Sequence, residues 1–221
     1  MLVQASPVAA DCVVLLHGLA RTANSMNKLV APFTDEGHQV VNVNYPSRKK
    51  TIEELAPLAV EQLGINQCAE NTTVHFITHS MGGILVRQFF DSQSTERLGR
   101  VVMMAPPNQG SQVVDKLKNT PGYKVMNGPA GMQLGTDLQS VPSQLGPVRF
   151  ELGVIAGSRT FNPILSQFLP DPDDGKVSVA NTQVEGMDDF ITLPVSHTFM
   201  MKKDSVIAQA VHFIKHGSFL H

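Results

Sequence analysis

Val13-Val14-Leu15-Leu16 and Val101-Val102-Met103-Met104 are unbroken apolar runs of four residues. Such a run is too short for a helix, and without polar alternation it has no face to turn to water. It belongs to a central strand of a parallel sheet that is covered on both faces. Further short strands are expected at 40–45, 74–77, 150–156, 176–180 and 190–193. Between them the period changes. Met26, Leu29, Val30 and Phe33 fall on one side of a helix over 24–36, which Gly37 closes. Thr51-Ile52-Glu53-Glu54 reads as a capping box that opens a helix to about residue 64, and Pro57 removes one of its ladder bonds, predicting a kink. Val206, Ile207, Ala210, Val211 and Ile214 form the buried stripe of a last helix, from about 204 to 217. Strands alternating with helices at this spacing make βαβ units. The expected fold class is therefore α/β, with a doubly wound, mostly parallel sheet.

Residues 106–147 break the rhythm with several Gly and Pro, weak periodicity and scattered Leu117, Val125, Met126, Met132 and Leu134. The stretch reads as an irregular cap or lid-like insertion within one domain over 1–221, and residues 1–11 as an N-terminal tail. A chain of 221 residues that is 42% hydrophobic can bury a substantial core. Net charge is −2 and no basic stretch exceeds Arg48-Lys49-Lys50, so nothing argues for a nucleic-acid partner. No apolar run approaches the roughly 18 residues of a transmembrane segment. The first ten residues lack a basic region and a long apolar stretch, but they end in Val8-Ala9-Ala10, small residues of the kind found at a signal cleavage site. They fit the remnant of a leader or an ordinary N-terminus. Cys12 opens the first strand, and Cys68 lies six residues before the strand at 74–77. If those strands are parallel neighbours, both thiols sit at one edge of the sheet. A disulfide is then within reach and would mean an oxidising compartment, secreted or periplasmic; two unrelated thiols would fit a cytoplasmic protein.

The strand at 74–77 runs into Thr78-His79-Ser80-Met81-Gly82-Gly83, and a helical pattern follows at once. A strand, a sharp turn and a helix push the Ser80 hydroxyl out of the backbone at a helix N-terminus, where amides can hold an oxyanion. A serine needs a base, usually His, and a carboxylate to orient that base. Of eight histidines, His79 adjoins Ser80 but is expected to point elsewhere on the turn, and His75 alternates within a strand as a core or interface residue. His197 lies in a loop between the last strand and the last helix, at the sheet edge where ligands bind in such folds. The acid is expected in Pro172-Asp173-Asp174-Gly175: Asp174 is favoured because glycine follows it, Asp173 is the runner-up, and Asp188 and Asp189 are more distant. The oxyanion would meet the Met81 amide and, from the turn after the first strand, that of Leu19. Gly18 lets the backbone bend there and His17 braces the loop. Those two, with Met126 and Met132 of the insertion, are the candidate substrate-binding residues.

Leu15-Leu16-His17-Gly18-Leu19, Thr78 to Gly83, Ala105-Pro106-Pro107-Asn108-Gln109-Gly110-Ser111, Asp174-Gly175-Lys176-Val177 and Ser196-His197 resemble, in order and spacing, the α/β-hydrolase superfamily, and within it small bacterial lipases and esterases. The departure is Thr78, where glycine is usual, and it puts the local turn geometry in doubt. The resemblance implies hydrolysis of carboxylic esters through an acyl-serine, with an acyl ester or lipid as substrate and without metal or organic cofactor. Secreted lipases of this kind often carry calcium, and no acidic cluster stands out for it. A thioesterase, amidase or acyltransferase would use the same residues, and a non-catalytic binding protein could reuse the scaffold. The insertion could be a lid, line an acyl groove or be a fixed loop that narrows the mouth.

Overall fold

The computed structural model describes residues 11–161 and 163–221. Its strands are β1 (Cys12–Leu16), β2 (Gln39–Val43), β3 (Val74–His79), β4 (Leu98–Met104), β5 (Leu152–Gly157) and β6 (Asp189–Leu193), in one sheet of order β2-β1-β3-β4-β5-β6. Every neighbouring pair is parallel. The helices are α1 (Val30–Asp35), α2 (Ile52–Ala56), α3 (Met81–Phe90), α4 (Gln112–Leu117), α5 (Tyr123–Met132), α6 (Val141–Gln144), α7 (Pro163–Ser166), α8 (Val179–Thr182) and α9 (Asp204–His216).

The strand pleat splits each apolar run between two cores. Cys12, Val14, Leu16, Phe76, Val101 and Met103 join one, with α2 and α3 over them. Val13, Leu15, Ile77, Val102 and Met104 join the other, beneath α1 and α9. Side chains alternate along a strand, so only a sheet covered on both faces hides every residue of such a run.

Several helices differ from the sequence pattern for local reasons. The segment over 24–36 is a 3-10 turn (Ala23–Leu29) running into α1. The capping box at Thr51 and Glu54 forms, but α2 ends at Ala56, and a wider π turn follows over Pro57–Gln62. Pro57 has no N–H to give, so the ladder slips to the i+5 spacing, with the Leu63 amide on the Leu58 carbonyl at 3.0 Å. The strand expected at 176–180 does not form. A single bridge joins Asp173 and Ser178, and Ser178 then caps α8 by accepting from the Asn181 amide at 3.2 Å. Capping and the turn around Asp174 outweigh β propensity there. On α9 the buried side also includes Phe213, which packs on Phe219, while Val211 is only half-buried.

The stretch over 106–147 holds the three short helices α4, α5 and α6, with α5 broken at Gly128-Pro129. The tail over 1–10, with Val8-Ala9-Ala10, lies outside the described residues. Among the described residues no helix is long and apolar enough to cross a membrane.

Cys12 and Cys68 form a disulfide, with Cα atoms 5.8 Å apart and 56 residues between them in sequence. β1 and β3 are adjacent with Cys12 opposite Val74, so both cysteines do sit at the N-terminal edge. A loop of this length removes enough entropy from the unfolded chain to stabilise the fold by about 2–4 kcal/mol. Urea unfolding with and without dithiothreitol should therefore show a lower midpoint for the reduced protein. Coincident curves would mean the crosslink contributes nothing.

Candidate active site

The chain leaves β1 towards β2 on one side and crosses to β3 on the other, so a crevice opens between the C-terminal ends of β1 and β3. Ser80 stands at its edge, between β3 and α3, with φ 53° and ψ −123°. A side-chain-bearing residue there costs on the order of 1–3 kcal/mol and persists only when its surroundings enforce it. Here the Ser80 amide donates to the Met104 carbonyl at 2.9 Å and the Gly83 amide to the Ser80 carbonyl at 3.0 Å. Helix α3 also presses on the end of β1: a Cβ on Gly82 would lie 2.8 Å from the Leu16 carbonyl oxygen. Glycine at 82 is therefore a packing requirement of the turn.

His197 Nε2 is 3.1 Å from Ser80 Oγ, and His197 Nδ1 is 2.8 Å from Asp174 Oδ2. With Nδ1–H donating to the carboxylate, Nε2 carries the lone pair and accepts from the Ser80 hydroxyl. The other carboxylate oxygen of Asp174 accepts from the Lys176 amide at 3.0 Å and the Val177 amide at 2.9 Å, which fixes its plane. The loops of acid and base are tied together by the His197 amide on the Asp174 carbonyl, at 3.0 Å. Gly157, at the end of β5, permits this closure, since a Cβ there would sit 2.5 Å from the Val195 carbonyl oxygen and 2.9 Å from Asp174 Cβ. Asp173 faces away: it accepts from the Gly175 amide at 2.6 Å and from the Ser166 hydroxyl. Asp188 and Asp189 are engaged at the far edge, by the Leu152 amide and the Phe219 amide respectively.

His79 points away from Ser80 Oγ but is not idle. It is buried, and its Nε2–H donates to the His197 carbonyl at 3.0 Å, with the two rings 4.8 Å apart. It thus holds the backbone that carries His197. Only the fold could show this, because 118 residues separate the two.

The turn after β1 is braced from below. His17 is fully buried and stacks on Tyr45 at 4.0 Å; its Nε2 accepts from the Tyr45 amide at 3.3 Å and its Nδ1 donates to the Gly18 carbonyl at 2.9 Å. The Tyr45 hydroxyl donates to the His17 carbonyl. The Arg21 amide closes on the Gly18 carbonyl at 3.3 Å and the Ala20 amide on Ser47 Oγ at 3.1 Å, and no acceptor among the described residues takes the Leu19 amide. Met81 is the first residue of α3, where an amide has no acceptor within the helix.

A cavity of about 370 Å³ opens over Ser80 and His197. Leu19, Val113, Val114, Leu117, Met126 and Leu134 give it apolar walls. His17, Gly18 and Met132 do not line it, so of the four candidate binding residues only Met126 reaches it. Two cationic side chains, Arg21 and Lys176, also line it, whereas among the described residues no Asp or Glu does. No cluster of three or more His, Cys, Asp or Glu among the described residues could hold a metal ion.

No protein-family profile and no curated protein matches the sequence. Solved structures do match the fold. The mature lipase BlEst2 of Bacillus licheniformis aligns at a TM-score of 0.70 and 17% identity, over 96% of this chain and 92% of its own. Lipase B of Aspergillus fumigatus aligns at 0.66 and 15% identity, over 94% of this chain but 53% of its own length. Carboxylesterase CesB of Bacillus subtilis aligns at 0.56 and 14% identity, over 96% and 85%. The chain has the α/β-hydrolase fold.

In this α/β-hydrolase fold Thr78 is accommodated without strain of its own. It lies within β3 opposite Leu16 and Met103, is fully buried, and is not among the residues with positive φ. Room for its side chain comes from Gly83, whose hypothetical Cβ would lie 3.2 Å from Thr78 Oγ1. The strain sits at Ser80 instead. Arg87 of α3, buried, clasps both ends of the 106–147 stretch. Its guanidinium donates to the Asn108 carbonyl at 2.8 Å and to the Leu145 and Gly146 carbonyls at 3.0 and 3.1 Å, and burial pulls its pKa down to about 10.

Three buried histidines make the fold acid-sensitive. Burial lowers the pKa of His17 and His75 and, together with the neighbouring His197, puts that of His79 well below its ordinary value. Below that ordinary value of about 6.5 the unfolded chain takes up protons that the fold refuses, at up to about 1.4 kcal/mol per pH unit for each histidine. This stability is complete above about pH 6.5 and is lost as pH falls. The urea midpoint should drop between pH 7.5 and 5.5; a flat or rising midpoint would contradict it.

Proposed function

We propose that the protein hydrolyses carboxylic esters through an acyl-serine. The observation that carries this reading is the unbroken hydrogen-bond chain from Ser80 through His197 to Asp174, opening into an apolar cavity. Ser80 Oγ attacks the acyl carbon as its proton passes to His197 Nε2. The carbonyl oxygen becomes an oxyanion received by the Leu19 and Met81 amides. Collapse breaks the bond to the alcohol oxygen, which takes the proton from His197. Water, deprotonated by His197, then attacks the acyl-serine and releases the acid. Asp174 holds the tautomer and balances the imidazolium. No step calls for a metal or organic cofactor.

The cavity lies at the small end of the roughly 300–1,000 Å³ usual for ligand sites, which favours short acyl chains. The Arg87 clasp supports a fixed wall over 106–147 rather than a moving lid, with the whole chain as one domain. The Cys12–Cys68 bond supports a secreted or periplasmic location. A fluorophosphonate probe should label Ser80, and p-nitrophenyl esters from acetate to palmitate should be cleaved fastest at the short end. An unlabelled Ser80 together with no ester turnover would overturn the assignment.

A further inference from the structure

A catalytic cavity lined by two cations and no acid is not neutral ground. Arg21 follows Leu19 by two residues, and Lys176 follows Asp174 by two, so both side chains rise from the turns that build the site. Among the described residues neither has an ion-pair or hydrogen-bonding partner for its side chain, although most other basic residues near an acid are paired, such as Lys118 with Asp137 at 2.6 Å. Asp174 is the opposing charge nearest to Lys176, and its oxygens are already taken by two amides and His197. Lys176 lines a second, smaller pocket as well, of about 80 Å³, against the far side of His197. That is where the alcohol half must lie, because His197 has to hand the departing oxygen its proton.

Taking ester hydrolysis at Ser80 as given, we propose that the substrate's alcohol half carries an anionic group, a phosphate or a carboxylate, bound by Arg21 and Lys176. The apolar walls take the acyl chain. The cavity walls desolvate the Lys176 ammonium and the Arg21 charge opposes it, so its pKa is already lowered; a bound anion relieves both. Proximity of the two cations without a protein acid between them is tolerable on a surface, but in a cavity it favours a ligand that neutralises them.

The test uses matched pairs of soluble esters. 1-Butyrylglycerol 3-phosphate is compared with 1-butyrylglycerol, and O-butyryl-lactate with its methyl ester. The expected result is a kcat/KM at least about tenfold higher for the anionic member of one pair, and the pair that shows it identifies phosphate or carboxylate. In Arg21→Gln and Lys176→Gln the preference ratio should fall several-fold, and in the double variant it should approach one. Because the ratio is taken on one preparation, losses common to both esters cancel. Equal rates within both pairs, or a preference that survives the double variant, overturn this proposal while leaving ester hydrolysis standing. Absence of turnover with all four esters and with p-nitrophenyl butyrate removes the hydrolase reading and this one with it.

Discussion

Ser80→Ala is expected to lower kcat for p-nitrophenyl butyrate by about 10⁴-fold or more, leaving only what binding and oxyanion contacts supply. The loss should appear without unfolding. Ser80 projects into the cavity, its conformation is held by backbone bonds to Met104 and from Gly83, and alanine keeps both. The thermal midpoint should stay within about 2 °C of the parent, since a substitution that removes no buried contact is worth only tenths of a kcal/mol. Steady-state kinetics with differential scanning calorimetry on the same sample checks both halves. Residual turnover above about one per cent, free of contaminating esterase, would mean another group attacks.

Asp174→Asn should cost nearly as much, about 10³–10⁴-fold in kcat, by reversing a tautomer. The amide has one oxygen and one NH₂. Its oxygen is claimed by the Lys176 and Val177 amides, which hold Oδ1 at 3.0 and 2.9 Å. The NH₂ then faces His197 Nδ1, which must accept rather than donate. Nε2 becomes the protonated nitrogen, and it cannot take a proton from Ser80. Asp173→Asn serves as the contrast. Its bonds to Gly175 and Ser166 are structural, so a loss of about 1–2 kcal/mol of stability is expected, with kcat changed less than tenfold. If the two variants lose activity equally, the orientation of His197 does not depend on Asp174.

The difference between those two acids marks where reading the chain stops. Asp173 and Asp174 share a loop, a Pro on one side and a Gly on the other. Nothing local decides which of them turns inward. The Gly157 contact with Val195 and Asp174 decides it, together with the amide bond from His197, and both join segments distant in sequence. His79 illustrates the same limit. Its neighbour in sequence is Ser80, but its partner is a carbonyl on another loop. The strand proposed at 176–180 failed because residues there answer to a carboxylate and a cap.

What the sequence determined alone was the parallel sheet and the edge at which its loops meet. Unbroken apolar runs with helical stripes between them leave a chain no other way to hide both faces of its strands. The order of those strands, and the turn at Thr78-His79-Ser80, then follow from short-range chemistry. The tertiary structure alone decided what faces Ser80: His197 and Asp174 at hydrogen-bond distance, His17 turned under the loop, Met132 outside the cavity, and Arg21 beside Lys176. Side-chain partners across loops are set by packing between segments far apart in the chain, and that information is not carried by any one segment.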